Sequence, residues 1–287
     1  MALRAGFIGL GNIGKPMARR LVAAGIHTTV HDLDADPVHE LAVAGAKAAE
    51  NARAVGAASD YVGICVRDDA DLRAVTLAAE GVFAGAAPGT VVAVHSTVQP
   101  KTVLELAEHA ATREIAVVDA CITGGAVGAA QGTLTVMVGG AARHLEKIRP
   151  ALETFAKLIV HTGALGTGTK LKLCNNLMTY LAWTSAYEAM LLARAAGLPQ
   201  QILEEVTRSN GNLTEPMLAF LGLHKAPVET RRSESFQAMV ARFVELAEKD
   251  LAATLAFARE CGVALPAAGL ASQLMARVYG LEDAKRR

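Results

Sequence analysis

The stretch GFIGLGNIGKPMARRLVAAG, residues 6–25, lies almost at the start of the chain and carries glycines at positions 9, 11 and 14. Residues 3–10 are mostly apolar or small and predict a short buried strand. Behind the glycines, apolar residues recur at helical spacing over residues 13–24, and Gly25 supplies a stop, so a helix is predicted there. The stretch therefore predicts a strand, a glycine-rich turn and a helix in direct succession.

A glycine-rich turn of this kind becomes specific only when an acidic residue follows about 20 positions later. Residues 28–31 predict a second strand, which ends at Asp32, 18 residues after Gly14. This is the spacing of a dinucleotide-binding unit rather than of an ordinary strand-to-helix corner with an accidental acid. We therefore predict that the turn binds the pyrophosphate of a dinucleotide.

Each glycine has a separate task in such a unit. The first permits the tight turn, the second lets the backbone approach the pyrophosphate, and the third lets helix and strand pack closely. The N–H groups at the helix N-terminus then face the phosphates. The cofactor-binding residues predicted in this unit are Gly9, Gly11, Asn12, Ile13, Gly14 and Asp32.

The acidic residue also indicates which dinucleotide binds. A carboxylate at Asp32 can accept hydrogen bonds from the ribose hydroxyls of the adenosine, but it would repel a 2′-phosphate. No arginine follows the strand, because the chain continues with Leu33, Asp34, Ala35 and Asp36. The sequence therefore predicts NAD as the cofactor in preference to NADP.

Strand-like and helix-like segments alternate up to residue 163, which predicts a doubly wound parallel sheet. Further strands are predicted at 61–66, 90–97, 114–123, 133–140 and 158–163, with helices beginning near Pro37, Asp69 and Pro100.

After residue 168 the pattern is helical only. Residues 169–198 predict one long helix that Gly197 and Pro199 end, and residues 248–266 predict an amphipathic helix that Gly262 ends. We therefore predict an α/β protein with a Rossmann domain at 1–163 and an all-helical domain at 164–287, joined by the long helix.

Composition excludes several classes of function. The chain has 287 residues with 28 basic and 28 acidic side chains, and its only block of like charge is the terminal Lys285, Arg286 and Arg287, so we expect no nucleic-acid partner. No apolar run approaches the roughly 18 residues of a membrane span, and no sequence motif predicts a metal site. Four separated cysteines in apolar segments predict reduced, buried thiols and a cytoplasmic protein.

A lysine and an asparagine share one face of the predicted long helix. Lys172 lies four residues before Asn176, so helical spacing places both on the same side. An ammonium can protonate a developing alkoxide, and its neutral form can accept an alcohol proton, while the amide orients the substrate oxygen. The alternative is a solvated helix lysine. The rival Lys170 has no asparagine four residues later.

A second glycine-rich loop follows the predicted strand at 114–123. The hydroxyl of Thr123 and the backbone N–H groups of Gly124 and Gly125 could bind a carboxylate. An ordinary turn between strands is the alternative reading of this loop.

Two further residue pairs are interpreted as structural. His95 and Ser96 are adjacent on a predicted strand and therefore point to opposite faces, which excludes a serine–histidine pair. Trp183 and Tyr187 are four residues apart on the long helix and favour packing at a domain or subunit interface over a stacking platform for a ligand.

Four stretches together resemble the β-hydroxyacid dehydrogenase family, which includes 3-hydroxyisobutyrate dehydrogenase. They are GFIGLGNIGKPMARRLVAAG, DACITGGAVGAAQGTLTVMVGG, GTGTKLKLCNNL and EKDLAATLA, and the likeness spans nearly the whole chain. The resemblance implies that Lys172 is the catalytic lysine and that Asn176 orients the substrate.

The same resemblance implies further site residues. Thr123, Gly124 and Gly125 match a substrate-binding Ser-Gly-Gly, Thr97 matches a position near the nicotinamide, and Lys249 matches a lysine that reaches the cofactor or the substrate. An exposed helix lysine is the alternative interpretation of Lys249. Thr123 replaces the family's usual serine, and Cys121 replaces its usual proline and is interpreted as buried packing.

These observations lead to one expected function and to several alternatives. We expect an NAD-dependent oxidoreductase that oxidises the alcohol of a small 3-hydroxy acid, such as 3-hydroxyisobutyrate or serine, with Lys172 as the general base. The alternatives are a semialdehyde or glyoxylate reductase, an imine reductase, and a catalytically silent dinucleotide-binding protein.

The predicted helical domain suggests further properties. Its apolar character predicts a homodimer or homotetramer. Leu213, Met217 and Phe220 are expected to line the pocket, and Arg208 or the pair 231–232 is considered for a second anion contact.

Overall fold

The structure, a computed structural model, describes residues 3–282. Contacts within the chain divide it into two compact units, one ending at Lys172 and one beginning at Leu173. This division falls inside the long helix, nine residues after the predicted boundary, so the domains at 1–163 and 164–287 stay a prediction. The basic residues 285–287 lie outside the described residues.

A single eight-stranded sheet forms the centre of the first unit. Its strands are β1 (Arg4–Ile8), β2 (His27–His31), β3 (Lys47–Ala48), β4 (Tyr61–Ile64), β5 (Val91–Val94), β6 (Ala116–Thr123), β7 (Leu134–Gly139) and β8 (Ala156–Gly163). They lie in the order β3-β2-β1-β4-β5-β6-β7-β8. The chain order reverses between β1 and β4, and open α/β sheets bind their ligands at such a switch point.

Helices cover both faces of this sheet. They are α1 (Gly14–Ala23), α2 (Ala35–Val43), α3 (Ala52–Ala57), α4 (Asp69–Leu77), α5 (Val82–Gly85), α6 (Pro100–Ala111), α7 (Gly125–Gln131) and α8 (Ala142–Leu152). Phe7 and Ile8 are neighbours on β1, yet they belong to two different hydrophobic cores. Because adjacent side chains on a strand point to opposite faces, each face has its own core. The predicted doubly wound domain is confirmed.

The sheet differs from the prediction at one edge. β1 to β6 pair in parallel, but β7 pairs antiparallel to β6, and β8 is parallel to β7. A parallel return needs a crossover of about a dozen residues or more. Only residues 124–133 connect β6 to β7, so the chain comes back beside β6 in the opposite direction. The sheet is therefore mixed, which corrects the prediction of a wholly parallel one.

The described residues of the second unit are helical. Its helices are α9 (Thr167–Ala195), which begins in the first unit, α10 (Gln200–Ser209), α11 (Glu215–Gly222), α12 (Val228–Arg232), α13 (Glu234–Glu260) and α14 (Pro266–Tyr279), with a short 3-10 turn at Leu223–Lys225. The predicted long helix corresponds to α9, and Gly197 follows it with a φ of +72°. The second predicted helix is the last part of α13, which begins 14 residues earlier than expected.

The core of the second unit corrects the prediction about the substrate pocket. Leu213, Met217 and Phe220 are buried in its hydrophobic core. The ring of Phe220 stacks on Trp183 at a centroid distance of 5.2 Å. These side chains stabilise the unit as parts of its core, where the sequence predicts groups that line a pocket. Arg208, considered as an anion contact, forms an ion pair with Glu215.

The cysteines also differ in part from expectation. Cys121 is buried and Cys65 is half-buried, but Cys174 and Cys261 are exposed. Both exposed cysteines lie on or beside amphipathic helices, where an apolar neighbourhood in the sequence does not place every position on the buried face. Within residues 3–282 none of the four forms a disulfide.

Candidate active site

The glycine-rich turn lies at the switch point of the sheet. Gly9 follows β1 with a φ of +86°, a backbone conformation that favours glycine. A Cβ atom on Gly9 would collide with the carbonyl oxygen of Cys65, directly after β4. A Cβ atom on Gly14 would collide with the carbonyl oxygen of Gly9. Strand, turn and α1 therefore pack too closely for a side chain at either position.

The middle glycine of the turn has open space instead. Apart from its chain neighbours, no atom of the described residues lies within 4 Å of the position that a Cβ atom would take on Gly11. No side chain among residues 3–282 caps α1 at Ile13. A helix N-terminus presents N–H groups and a partial positive charge to an anion. The turn therefore fits the pyrophosphate of a nicotinamide dinucleotide.

Asp32 directly follows β2, the strand beside β1. Its Oδ2 accepts a hydrogen bond from the N–H of Leu10, inside the glycine-rich turn. Its Oδ1 accepts one from the N–H of Asp34 at 2.9 Å. A carboxylate offers about four lone-pair sites, so these two bonds fix its orientation and leave capacity for ribose hydroxyls.

Four further predicted residues lie where the parallel strands of the sheet end. Thr97 comes three residues after β5, Thr123 is the last residue of β6, and both are half-buried. Because the parallel strands β1, β2, β5 and β6 all end on the same side of the sheet, Thr97 and Thr123 lie on the side that carries the glycine-rich turn and Asp32. Gly124 and Gly125 follow β6 with φ angles of +122° and +64° and are exposed.

One face of β6 contacts the first turn of α9. The fully buried Asp119 accepts hydrogen bonds from Gly166 N–H at 2.8 Å and from Thr169 N–H at 2.6 Å. Two residues along the strand, the Sγ atom of buried Cys121 lies 3.7 Å from Thr169 Oγ1. Side chains two positions apart share a face of a strand, so Thr123 belongs to this face as well. The interpretation of Cys121 as buried packing is confirmed.

The lysine and asparagine of the predicted pair lie on α9, one turn apart. Lys172 is half-buried and follows Thr169 by three residues, whereas Asn176 is buried. The rival Lys170 is exposed. The helical spacing that the sequence predicts for Lys172 and Asn176 is therefore confirmed.

In the second unit, Asn176 belongs to a buried polar network. Its Nδ2 donates to Asp250 Oδ2 at 2.8 Å, and the hydroxyl of Tyr180 donates to the same oxygen at 3.0 Å. The ammonium of Lys249 lies 2.9 Å from Asp250 Oδ1. Burial and the charge of Asp250 raise the pKa of Tyr180, which therefore stays a hydrogen-bond donor. Asp250 thus fixes the amide of Asn176 and holds Lys249.

Sequence reasoning missed three of these polar residues. Asp250 is adjacent to Lys249, and Tyr180 lies four residues after Asn176 on the same helix face, so spacing could have indicated both. Asp119 opens the second glycine-rich stretch, but only the fold shows that it meets α9.

His95 and Ser96, which the sequence excludes as a serine–histidine pair, each form structural hydrogen bonds. His95 is fully buried, its Nδ1 donates to the carbonyl of Ala120 at 2.7 Å, and its Nε2 accepts from the hydroxyl of Tyr61 at 2.8 Å. The carbonyl can only accept, which fixes this tautomer. Ser96 donates instead to the carbonyl of Val66. The exclusion of a serine–histidine pair is confirmed.

Residues 3–282 contain neither a metal-binding cluster nor a membrane-spanning helix. No group of three or more histidine, cysteine, aspartate or glutamate side chains could hold a metal ion. None of the helices there is both long enough and apolar enough to cross a membrane.

Two sequence profiles match almost the whole chain. The profile described as the NAD binding domain of 6-phosphogluconate dehydrogenase matches residues 4–163. The profile described as NAD-binding of NADP-dependent 3-hydroxyisobutyrate dehydrogenase matches residues 166–285. The chain therefore carries domains of the NAD(P)-binding type along its length.

Named relatives agree with these profiles. The NAD-dependent L-serine dehydrogenase of Pseudomonas aeruginosa is 41% identical over 210 residues, which are 72% of this chain and 70% of that protein. The 2-(hydroxymethyl)glutarate dehydrogenase of Eubacterium barkeri is 33% identical over an alignment of 294 residues, covering 98% and 91%. The structure of Mycobacterium tuberculosis 3-hydroxyisobutyrate dehydrogenase with L-serine has a TM-score of 0.79 and 28% identity, covering 96% of this chain and 94% of that one.

Proposed function

This chain belongs to the β-hydroxyacid dehydrogenase family, whose members act on CH–OH donors with NAD(P), and from that membership we propose its reaction in more detail. The protein oxidises the primary alcohol of a small 3-hydroxy acid with NAD. Lys172 accepts the hydroxyl proton, and the loop from Thr123 to Gly125 binds the carboxylate of the substrate.

The observation that supports this proposal most is the contact of β6 with α9. Asp119 and Cys121 meet the first turn of α9 through Thr169. From Cys121 to Thr123 the strand advances about 6.6 Å, and from Thr169 to Lys172 the helix advances about 4.5 Å. Thr123 and Lys172 therefore each lie a few residues beyond the contact of Cys121 with Thr169. We infer that they face one substrate.

The chemistry assigned to each residue follows from its type. When bound, the nicotinamide dinucleotide supplies the acceptor for the hydride of the alcohol. Lys172 acts as a base only in its neutral form, which desolvation favours, and it takes the hydroxyl proton as the C=O bond forms. The hydroxyl of Thr123 and the N–H groups of Gly124 and Gly125 donate to the carboxylate.

Asn176 has a separate, orienting role in this proposal. Its Nδ2 is engaged by Asp250, so its carbonyl oxygen remains the group with which it can orient Lys172 or the substrate hydroxyl. Lys249 is held by the same carboxylate, and its proposed role toward the cofactor or substrate rests on the family resemblance alone.

The substrate class is inferred from the relatives together with the residues above. L-Serine, 2-(hydroxymethyl)glutarate and 3-hydroxyisobutyrate all carry a hydroxymethyl group on the carbon next to a carboxylate. An anion site in the Thr123 loop and a proton acceptor at Lys172 suit such a molecule. We therefore assign a 3-hydroxy acid with a primary alcohol as the substrate.

NAD is the proposed cofactor because of Asp32. Its carboxylate is fixed beside the glycine-rich turn, and Asp34 and Asp36 follow closely, so a 2′-phosphate would meet like charge. A higher kcat/KM with NADP than with NAD would contradict this assignment.

The second unit supports a proposal about assembly. Large apolar side chains are exposed on its helices, including Leu192, Ile202, Val206 and Leu270. Burying them against a second copy removes apolar surface from water, so we propose a homodimer or homotetramer. The separated cysteines, which form no disulfide within residues 3–282, support the cytoplasm as its location. Light scattering after gel filtration tests the assembly, and a monomer at micromolar concentration would contradict it.

A substrate panel tests the proposed reaction. 2-Hydroxy, 3-hydroxy and 4-hydroxy acids, uncharged alcohols and a cyclic imine are compared with the appropriate oxidised or reduced cofactor, through NADH absorbance. We expect the highest kcat/KM with a 3-hydroxy acid. Activity only with uncharged alcohols would remove the carboxylate site, and imine reduction without alcohol oxidation would favour an imine reductase. A higher kcat/KM for a semialdehyde with NADH than for the hydroxy acid with NAD would favour a reductase.

A further inference from the structure

The carboxylate of Asp119 occupies a closely fitted socket between β6, β7 and α9. It is fully buried and accepts hydrogen bonds from the N–H groups of Gly166 and Thr169. A Cβ atom on Gly139 would collide with its Oδ1, and one on Gly168 would lie 3.0 Å from its Oδ2. The surrounding chain therefore leaves room for this carboxylate and for no additional side chain.

The start of α9 supplies the charge that this buried carboxylate requires. Burying a carboxylate costs much free energy unless hydrogen bonds and positive charge compensate for it. The N-terminus of a helix carries a partial positive charge, and hydrogen bonds from backbone N–H to a carboxylate are short and strong. Asp119 and the first turn of α9 therefore stabilise each other, and neither is properly satisfied alone.

The strand is the fixed partner in this pair. Asp119 lies in the ladder opposite Val94 of β5 and opposite Gly139 of β7, so β6 is held on both sides. Only residues 164–166 separate the end of β8 from the start of α9, and both Gly163, the last residue of β8, and Gly166 have positive φ. The carboxylate therefore determines where α9 begins, rather than where β6 lies.

We propose that Asp119 is a positioning residue of the active site, which holds the first turn of α9 so that Lys172 meets the substrate bound at the end of β6. This inference rests on the proposed role of Lys172. Lys172 follows Thr169 by three residues, which is less than one helical turn. Any shift or rotation of the first turn therefore moves Lys172 by nearly the same amount. Misplacing a catalytic group by about 1 Å can lower a rate about 100-fold.

Asp119→Asn tests the proposal, because an amide cannot accept hydrogen bonds with both of its heavy atoms. One of the two N–H groups then faces an NH₂ group, and the first turn of α9 must move. We expect kcat with a 3-hydroxy acid to fall about 10- to 100-fold. The KM values for NAD and substrate should stay within about twofold, because the lost interaction acts on the transition state.

A matched control separates positioning from the general effect of losing an aspartate. Asp60 accepts a hydrogen bond from the backbone N–H of Arg4 and precedes β4, at the end of the sheet away from the glycine-rich turn. Asp60→Asn should leave kcat unchanged. Equal losses of kcat in Asp60→Asn and Asp119→Asn would overturn the proposal, since the effect would then come from stability alone.

A second variant keeps the test decisive if Asp119→Asn folds poorly. Gly168→Ala keeps the carboxylate but places a methyl group 3.0 Å from its Oδ2 and 2.5 Å from the carbonyl oxygen of Met137. Both variants are purified with excess NAD, which stabilises the folded form by mass action. The proposal predicts the same loss of kcat at nearly constant KM in Gly168→Ala.

The outcomes also distinguish this proposal from that for Lys172. Full activity in Asp119→Asn or Gly168→Ala, together with an inactive Lys172→Ala, would overturn the positioning role and leave the proposed function intact. Full activity in Lys172→Ala would overturn the proposed function first. A rise in KM for NAD without a change in kcat would also contradict positioning of Lys172.

Discussion

Replacing Asp250 by alanine removes the acceptor that Asn176 and Tyr180 share. Both donors lie in buried residues, and the ammonium of Lys249 loses the carboxylate 2.9 Å away. The side chain of Asp250 is only 5% exposed, so water cannot easily replace it. We therefore expect Asp250→Ala to destabilise the second unit.

The size of this effect follows from the exposure of each partner. Removing one member of a buried ion pair costs about 3–5 kcal/mol. Because the Lys249 side chain is 25% exposed, its charge can reach water, and the expected loss is near the lower limit, about 3 kcal/mol. Asp250→Asn keeps one oxygen for Asn176 and Tyr180 and should cost about 1–1.5 kcal/mol.

Trp183 makes the measurement specific. It is the only tryptophan of the chain and contacts Phe220 and Tyr180 within the core of the second unit. Its fluorescence during urea unfolding therefore follows this unit. With an m-value of about 2 kcal/mol/M, a loss of 3 kcal/mol moves the midpoint by about 1.5 M.

An exposed ion pair provides the control. Asp60→Asn removes the partner of Arg4 in the first unit, where the aspartate side chain is 34% exposed, and should leave the tryptophan transition in place. A midpoint shift below about 0.5 M for Asp250→Ala would refute the reasoning. Equal shifts for the alanine and asparagine variants would refute it as well, because the retained oxygen would then have no value.

Two other predictions concern the first unit. Gly14→Ala should raise the Kd for NAD about 10- to 100-fold in titration calorimetry, because the new methyl group collides with the carbonyl of Gly9. Gly222→Ala is the control, since a methyl group there enters open space and should leave the Kd unchanged. Equal affinities in the two variants would contradict the proposed phosphate site. Burial lowers the pKa of His95 to about 4, so its neutral form contributes stability above pH 6.5 that is lost as the pH falls toward 4. The difference in unfolding free energy between wild type and His95→Gln should therefore change by about 1.4 kcal/mol per pH unit between pH 6 and 4.5, and parallel curves would contradict this.

The sequence was sufficient for the elements with strong local signals. Glycines 9 and 14, the strand after them and Asp32 lie within one local unit, and the helical spacing of Lys172 and Asn176 needs no tertiary information. The antiparallel return of β7 was missed because the alternation of strands and helices implies parallel pairing, although the predicted strands at 114–123 and 133–140 leave too short a connection for a parallel return.

Other features depend on contacts between distant segments. Asp119 meets Thr169 across 50 positions, and Asn176 meets Asp250 across 74. Leu213 and Phe220 appear in the sequence as apolar residues near a presumed pocket, and only the packing of the helices shows that they form the core. Periodicity identifies an apolar face but not the surface that this face covers.

The most direct test of the central claim is the turnover of Lys172→Ala with a 3-hydroxy acid, measured together with the Kd for NAD. Lys170→Ala is the matched control, since that lysine lies two residues earlier on the same helix and is exposed. We predict that Lys172→Ala lowers kcat about 10²- to 10⁴-fold while NAD binds as in the wild type, because the loss of general acid–base catalysis has this size. Near-wild-type turnover in Lys172→Ala, with NAD binding unchanged, would contradict the assignment of Lys172 as the proton acceptor.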